Sequence, residues 1–239
     1  MLILLFLQSF LNMDNFLEER ILFEDNHLIV VNKLSGEIVQ GDKTGDTALV
    51  DDVREYIRKK YDKPGNVFCG LVHRIDRPVS GVVIFAKTSK ALARMNLLVK
   101  ERKIEKIYWA VVEGRPEVPE AELTHFVRRN EKLNKTFVSD IQKDGWQQAA
   151  LSYKTLFQGD RYTLLEVSLH TGRHHQIRAQ LSAIGVPIKG DLKYGARRSN
   201  PDGSISLHAR KVSFVHPVTK LPVSVIAPAP PDFPFADRV

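Results

Sequence analysis

Short hydrophobic runs separated by turn residues follow one another along most of the chain and predict strands. Ile21–Phe23 and Leu28–Asn32 lie on either side of the polar turn Glu24-Asp25-Asn26 and predict a pair of strands. The apolar run Gly81–Ala86, bounded by turn residues, predicts a buried strand. Further strands are predicted at Ile107–Val112, Leu123–Val138, Ala149–Phe157, Tyr162–Leu169, Ile205–Val215 and Val223–Ala227.

Three segments instead carry hydrophobic residues at the spacing of a helix. The first is predicted to begin after Thr47 as its N-cap, and the second after Thr88 or Ser89. The third covers His174–Ile184 and is followed by Gly185, a residue suited to the left-handed conformation that ends many helices. Strands dominate and regular β-α-β alternation is absent. The pattern therefore predicts an α+β fold, with a mixed, mostly antiparallel sheet and flanking helices.

The first residues of the chain, MLILLFLQSFL, are almost purely apolar. They lack the leading positive charge and the cleavage site of a secretory signal, and a membrane-spanning helix needs about 20 apolar residues. We interpret residues 1–12 as a non-native or disordered leader before a natural start at Met13, with a short amphipathic anchor as the alternative. Residues 13–239 are then expected to form a single domain with an extended C-terminal tail around Pro228–Pro231.

Charge and cysteine content narrow the possible partners and the compartment. Lys and Arg number 35 against 28 Asp and Glu, which gives a formal net charge of +7 and favours a polyanionic partner such as nucleic acid. Cys69 is the single cysteine, so an internal disulfide is impossible and a cysteine-rich zinc site is ruled out. A reducing compartment, the cytoplasm, fits this best.

The segment LVHRIDRPVSGVVIFAKT, residues 71–88, carries the clearest chemical signal. It places one carboxylate, Asp76, between Arg74 and Arg77, just before the predicted buried strand. Neighbouring cations favour the ionised form of a carboxylate, and an ionised carboxylate can act as a nucleophile. From the charge pattern alone, a structural ion pair on the surface is the more common explanation.

Several blocks in this sequence resemble the RluA-type RNA pseudouridine synthases. HRIDRPVSG at 73–81 is similar to that family's HRLDRxTSG signature, and LHTGRHHQIRAQLSAIGVPIKGDLKYG at 169–195 is similar to a second long block. KIYWA at 106–110 resembles the family's KxYxA strand, LHA at 207–209 a late element, and ILFEDNHLIVVNKLSGEIVQ at 21–40 its entry. Long blocks in one order are far more specific than a lone short motif.

The resemblance implies an enzyme with the pseudouridine synthase catalytic fold that isomerises uridines in ribosomal or transfer RNA. The implied catalytic residues are Asp76 as the attacking carboxylate, Tyr108 stacking on the target base and aiding proton removal, and Arg178 pairing with Asp76. The implied substrate-binding residues are Arg74, Arg77, Leu207, His174 and Gln176. Such an isomerisation needs no cofactor and no metal. The expected partner is RNA with a flipped uridine, with no membrane and no obligate protein partner.

Three positions depart from the family pattern, and one familiar part is missing. Val79 stands where the signature has Thr, Leu34 where many relatives have Pro, and Gln180 where His is common. The catalytic pattern begins near residue 20, so the chain resembles a compact member without the N-terminal RNA-binding domain. Basic residues expected to grip the RNA backbone are Arg58, Lys59, Lys60, Lys100, Arg102, Lys103, Arg128, Arg129, Arg197 and Arg198.

Two other functions remain open from the sequence. A non-catalytic RNA-binding factor could share the fold, although the intact set of Asp76, Tyr108 and Arg178 argues against it. A base-releasing hydrolase normally needs a second carboxylate as general acid. The nearest candidate, Asp191, resembles a structural turn residue. His170 and His174 are four residues apart, but Gly172 between them interrupts the helix that a metal site of this spacing requires.

Overall fold

The computed structural model describes residues 17–41 and 45–239, so the leader predicted at 1–12 lies outside the described residues. Within them, eleven strands form one sheet. The strands are β1 (Ile21–Glu24), β2 (Leu28–Lys33), β3 (Gly70–Leu71), β4 (Ser80–Ala86), β5 (Glu105–Glu113), β6 (Glu120–Asn130), β7 (Lys135–Ser139), β8 (Gln147–Gln158), β9 (Tyr162–Leu169), β10 (Leu207–Val215) and β11 (Pro222–Ile226). The helices are α1 (Leu49–Lys60), α2 (Ser89–Lys100) and α3 (Gln176–Ala183).

The strands lie in the order β1-β2-β4-β10-β5-β9-β8-β6-β7, with β11 paired to β10 and β3 to β4. Only the contact between β10 and β4 is parallel among these described pairs. The prediction of a mixed, mostly antiparallel sheet with flanking helices is therefore confirmed. The order brings β4, β10 and β5 side by side in the middle of the sheet, although 120 or more residues separate β4 from β10.

Both faces of the central strands are buried, because helices cover each side. Alternate residues of β4 point to opposite faces: Val83 and Phe85 join the larger core with α1 and α3, whereas Val82 and Ile84 join a second core with α2. All seven residues of β4 are buried. This explains why the strand appears in the sequence as a continuous apolar run rather than an alternating one.

Gly81 permits the close contact between β4 and β10 on which the site depends. Its φ is +114°, and a Cβ atom there would lie 2.3 Å from the carbonyl oxygen of Ala209 on β10. No side chain fits at that distance, so the position requires glycine.

One local prediction, the cap of the first helix, differs from the structure. Thr47 is not the N-cap of α1, since Ala48 takes that position and offers no side-chain cap. Instead, the amides of Leu49 and Val50 donate to the carbonyl oxygens of Ile38 and Val39. A backbone segment from earlier in the chain thus satisfies the helix terminus. Leu123–Val138, predicted as strands with charged loops, forms the hairpin of β6 and β7.

The other helix boundaries follow the sequence closely. Thr88 caps α2, its hydroxyl oxygen accepting from the amide of Ala91 at 3.1 Å. Gly185 follows α3 with φ +82°, as predicted. The segment from Pro228 packs against the sheet: the Pro228 carbonyl accepts from Asn32, and Phe233 is buried in a third cluster with Trp109.

Candidate active site

A buried lysine stabilises the turn that carries Asp76 through hydrogen bonds to backbone carbonyl groups. Lys33, at the end of β2, is fully buried and donates from Nζ to the carbonyl oxygens of Leu34, Arg77 and Val79 at 2.7 to 3.1 Å. Burial lowers the pKa of Lys33 to about 8, although the charges of Glu37 and Asp76 oppose this. Two of the three acceptors belong to residues within three positions after Asp76, so this ammonium group fixes the backbone next to the carboxylate.

Arg178 lies between two carboxylates. Its Nη1 donates to Oδ2 of Asp76 at 3.0 Å, while Nε and Nη2 donate to the two oxygens of Asp191 at 2.6 and 2.9 Å. The fork geometry toward Asp191 is bidentate, which fixes the plane of the guanidinium. Burial disfavours the charged form, but the hydrogen bonds and charges of Asp191 and then Asp76 raise the pKa of Arg178. Arg178 is therefore a permanent, oriented cation facing Asp76.

His175 makes a second contact with Asp76. The contact between His175 and Tyr194 determines which ring nitrogen carries the proton. The Nε2 atom of His175 lies 3.4 Å from Oδ2 of Asp76, and Nδ1 lies 3.0 Å from the hydroxyl of Tyr194. That hydroxyl already accepts from the amide of Thr136 at 2.8 Å, so its own proton is free to point at Nδ1. Nδ1 then accepts, and the remaining proton lies on Nε2, facing the carboxylate.

His175 stays neutral in this position. Burial, followed by the charge of Arg178 and neighbouring groups, lowers its pKa to about 2. Its φ of 49° is left-handed, and this bends the chain at the start of α3 so that the ring faces Asp76. The neutral N–H group adds a polar neighbour for the carboxylate without adding a second charge.

Tyr108 and Leu207 form the apolar wall next to Asp76. They come from the adjacent strands β5 and β10, are both buried, and both line the same cleft as Asp76. Burial, and then the negative charge of Asp76, raise the pKa of Tyr108. The phenol is therefore neutral, and its ring offers a flat surface to a planar ligand.

The cleft around these residues has a volume of about 780 Å³ and is open to solvent. That is ample for one base together with parts of its neighbours. Its acidic lining residues are Asp76 and Glu105, whereas the cationic lining residues are Arg74, Lys100, Arg102, Lys106, Arg173 and Arg178. The cleft therefore favours an anionic ligand.

The remaining residues predicted to bind substrate lie in different surroundings. Arg74 is exposed and lines the cleft, whereas Arg77 lies outside its lining and pairs with Asp46 at 2.7 Å. Gln176 lines the cleft but is buried and accepts from the Thr171 hydroxyl at 2.7 Å. His174 is outside the lining and stacks on His175 with ring centroids 3.7 Å apart. The cleft thus brings together six of the predicted site residues: Asp76, Tyr108, Arg178, Leu207, Arg74 and Gln176. Arg77 and His174 lie outside its lining.

Most basic residues predicted to grip RNA have acidic neighbours or lie elsewhere on the surface. Lys100 and Arg102 line the cleft. Arg58 and Lys59 pair with Glu55, Lys60 with Glu24, and Lys103 with Glu101. Exposed positions without a role in the cleft lining are Arg128, Arg129, Arg197 and Arg198.

Sequence reasoning missed Asp191 as part of the site. It was interpreted as a structural turn residue, but it is 1% exposed and holds Arg178 in place. It does not line the cleft, and both of its oxygens are engaged, so it cannot act as the second acid of a glycosidase. Lys33, Tyr194 and the orientation of His175 were missed as well, because each acts through contacts between distant segments.

The three departures from the family pattern are accommodated locally. Val79 is buried and contributes its carbonyl oxygen to Lys33. The Leu34 amide donates to Glu37, which stabilises the turn at this position. Gln180 is buried and donates to Nδ1 of His125 at 2.9 Å.

The described residues contain neither a candidate metal-binding cluster nor a helix that could span a membrane. Across residues 17–41 and 45–239, no group of three or more His, Cys, Asp and Glu side chains is arranged to hold a metal ion. None of the helices in the same two segments is long and apolar enough to cross a membrane.

Comparison with known proteins identifies the family. The family model described as RNA pseudouridylate synthase matches residues 27–183, more than half of the chain. This protein belongs to that family. A "Ribosomal large subunit pseudouridine synthase C" from Buchnera aphidicola subsp. Acyrthosiphon pisum is 35% identical over 93% of this chain and 71% of its own length.

A relative of the same name from Buchnera aphidicola subsp. Schizaphis graminum is 33% identical over 87% of this chain. This chain spans 66% of that relative's length. Among solved structures, "Human RNA Pseudouridylate Synthase Domain Containing 4" aligns with a TM-score of 0.78, covering 95% of this chain and 94% of that one. At 22% identity, that likeness shows the fold alone.

Proposed function

We propose that this protein isomerises specific uridines of ribosomal or transfer RNA to pseudouridine, with Asp76 as the attacking carboxylate. The observation that carries the proposal is the Asp76 carboxylate itself: it is held by Arg178 at 3.0 Å and stands in a cationic cleft beside the buried ring of Tyr108. The names of the similar bacterial proteins refer to the large ribosomal subunit, which favours ribosomal RNA.

The chemistry needs one nucleophile and no redox step. Asp76 attacks C1′ of the target ribose while the C1′–N1 bond breaks and its electron pair goes to the uracil, or Asp76 assists loss of the base in a glycal-type route. The uracil rotates in the cleft and forms the new bond from C5 to C1′, which releases the carboxylate. The proton leaves C5, N1 gains one, and the product is an isomer of the substrate.

Arg178 and His175 orient the Asp76 carboxylate for this attack. Arg178 donates to Oδ2 of the carboxylate and fixes that oxygen. Both contacts are made to Oδ2, so Oδ1 remains the oxygen for the attack. The positioning is achieved before the substrate binds, which removes reorganisation from the reaction barrier.

Tyr108 would stack on the target base. Its raised pKa makes a phenolate a costly species in this cleft, so the neutral phenol suits stacking and hydrogen bonding better than removal of the C5 proton on its own. The released Asp76 carboxylate is the stronger candidate acceptor for that proton. Access to Asp76 requires the uridine to leave its stack, at about a few kcal/mol, and the exposed Arg74 could occupy the vacated space.

A pseudouridine map of total RNA tests the proposal in cells. A strain lacking the gene is compared with the same strain carrying the wild type or Asp76→Ala. Defined positions should disappear in the deletion strain and return only with the wild type. Restoration by Asp76→Ala would refute the role of Asp76, and RNA binding by purified wild type without product would favour a non-catalytic factor.

Purified Asp76→Asn tests the mechanism directly. The expected result is a loss of turnover of at least about 10⁴-fold, since removal of a nucleophile leaves only binding and positioning. RNA affinity and folding should persist, because Arg178 keeps its bidentate contact with Asp191. Free uracil among the wild-type products would instead indicate a base-releasing hydrolase.

A further inference from the structure

Lys106 is a half-buried cation of the cleft that has no counterpart among the residues the structure describes. Lys106 lies on β5 two residues before Tyr108, so its side chain points to the same face of the strand and lines the same cleft. It is half-buried, and no oxygen atom in the described part of the chain accepts a hydrogen bond or forms an ion pair with its ammonium group. Burial lowers the pKa of Lys106.

His73 adds a second unsatisfied polar group at this place. Its Nε2 atom is buried and has no hydrogen-bond partner among the residues described. The ring lines the cleft, and the charge of Lys106 acts on it, adding to burial in lowering the pKa of His73 to about 3. The ring nitrogen of His73 and the ammonium group of Lys106 thus line one cleft, and neither has a partner among the described residues. Such groups are costly to bury unless a ligand satisfies them.

Gly172 keeps the ammonium group uncovered. A Cβ atom at position 172 would lie 3.5 Å from Nζ of Lys106, and that nitrogen is the nearest neighbour within 4 Å. Gly172 also lines the cleft. Any longer side chain there would stand between Lys106 and a ligand, so glycine leaves an open approach to the charge.

We propose that Lys106, together with His73 and Gly172, forms a subsite for an RNA backbone phosphate next to the uridine that stacks on Tyr108. We refer to these three residues as the Lys106 subsite. A strand advances about 6.6 Å over two residues, so the subsite is displaced from Tyr108 by a distance that a ribose can bridge. The identity of the ligand as RNA rests on the proposed function, whereas the phosphate chemistry follows from the unpaired ammonium group.

The first experiment measures the salt dependence of binding, which needs no turnover. Fluorescent decauridylate is titrated with wild type, Lys106→Met and Lys90→Met at several salt concentrations. Lys90 is an exposed lysine of α2 outside the cleft lining, so Lys90→Met controls for the loss of one net charge. We expect Lys106→Met to bind about tenfold more weakly and to reduce the slope of log K against log salt by about 0.7, the value for one phosphate of a single strand.

The second experiment locates the phosphate. RNA containing the uridine identified by the pseudouridine map is prepared with one neutral methylphosphonate linkage at a time around that uridine. At one linkage, wild type should lose about tenfold in affinity while Lys106→Met loses nothing further. At the other linkages, both proteins should lose equally. Equal losses at every linkage, together with an unchanged salt slope, would overturn the subsite.

A variant that keeps every charge completes the test. Gly172→Ala places a methyl group in ordinary contact with Nζ of Lys106, so folding should be retained and checked by thermal unfolding. Its affinity for decauridylate should fall in the same direction as that of Lys106→Met. If wild type makes no pseudouridine but the salt slopes differ as expected, the proposed function fails and the phosphate subsite stands. If wild type makes pseudouridine but the salt slopes of wild type and Lys106→Met agree, the phosphate subsite fails and the proposed function stands.

Discussion

At the Asp76 site, the buried guanidinium of Arg178 lies between two carboxylates. In the Lys106 subsite, an ammonium group lines the same cleft without an acidic partner among the described residues. Arg178 makes three hydrogen bonds to Asp76 and Asp191. Lys106 makes none within the residues described. The two cations come from α3 and β5, and both are at least half-buried.

The difference reflects two tasks. A reacting carboxylate must hold its charge and orientation before the substrate arrives, so its partners are built into the protein. A group that binds substrate must keep its capacity for hydrogen bonding free, so its partners are supplied by the ligand. A cation whose hydrogen bonds are all made within the protein is therefore suited to position another side chain. A polar group that is left without a partner in the cleft is suited to bind substrate.

Among the tests of this comparison, the largest effect is expected when the Asp76 site is made to resemble the Lys106 subsite. Asp191→Asn leaves one amide oxygen for two guanidinium donors, Nε and Nη2 of Arg178, and removes the buried counter-charge. We expect the free energy of unfolding to fall by about 3 kcal/mol and kcat by about 100-fold, because Arg178 shifts away from its position against Asp76.

Chemical denaturation and single-turnover kinetics measure these two changes. Asp160→Asn, in an exposed turn, is the matched control and should alter neither quantity. A stable Asp191→Asn protein with wild-type turnover would show that Asp76 alone suffices to orient Arg178.

A smaller effect concerns the neutral histidine at the Asp76 site. His175 has a pKa of about 2 in the folded protein, below the value of about 6.5 expected in the unfolded chain. Between these two pKa values, His175 binds a proton only in the unfolded chain. Its contribution to the free energy of unfolding is therefore complete above about pH 6.5 and decreases as the pH falls. The loss is about 1.4 kcal/mol per pH unit, or about 2 kcal/mol at pH 5.

Urea denaturation of wild type and His175→Gln from pH 7.5 to 5 measures this loss. The variant should show a shallower acid decline, equivalent to about one proton fewer taken up on unfolding. Identical slopes for the two proteins would mean that His175 is protonated in the folded state, in conflict with its buried position beside Arg178.

The smallest expected effect sharpens the account of how His175 is oriented. Tyr194→Phe removes the hydroxyl that accepts from Thr136 and donates to His175. We expect the free energy of unfolding to fall by about 1 kcal/mol and kcat by less than about tenfold, because Arg178 still holds Asp76. His175→Gln in the same background should then cost little more, since the two residues act as one unit. Additive losses in kcat would contradict this coupling.

Much of the fold was predictable because local periodicity reports which faces are buried. The strand at Gly81–Ala86 and the cap at Thr88 follow directly from such patterns. Thr47 was misjudged as a cap because the amides it would have satisfied are bonded by Ile38 and Val39, which lie earlier in the chain. A propensity at one position cannot report a partner supplied by another segment.

At the site, the residues carried by continuous motifs were named from the sequence, and those acting across the fold were not. Arg74 and Arg77 flank Asp76 in sequence, yet Arg77 pairs with Asp46. The cation that contacts the carboxylate is Arg178, 102 residues away. Adjacent residues on an extended turn point in different directions, so sequence neighbours are poor guides to charge partners.

By itself, the sequence determined the fold class, the family and the identity of Asp76, Tyr108 and Arg178 as candidates, because blocks of residues and their order are local properties. Only the tertiary structure decided that Asp191 orients Arg178 and that Lys33 supports the turn after Asp76. It also decided that Lys106 has no partner within the described part of the chain. The physical reason is that the order of strands in the sheet brings β2, β4, β5 and α3 together, and this order depends on packing between segments far apart in the chain.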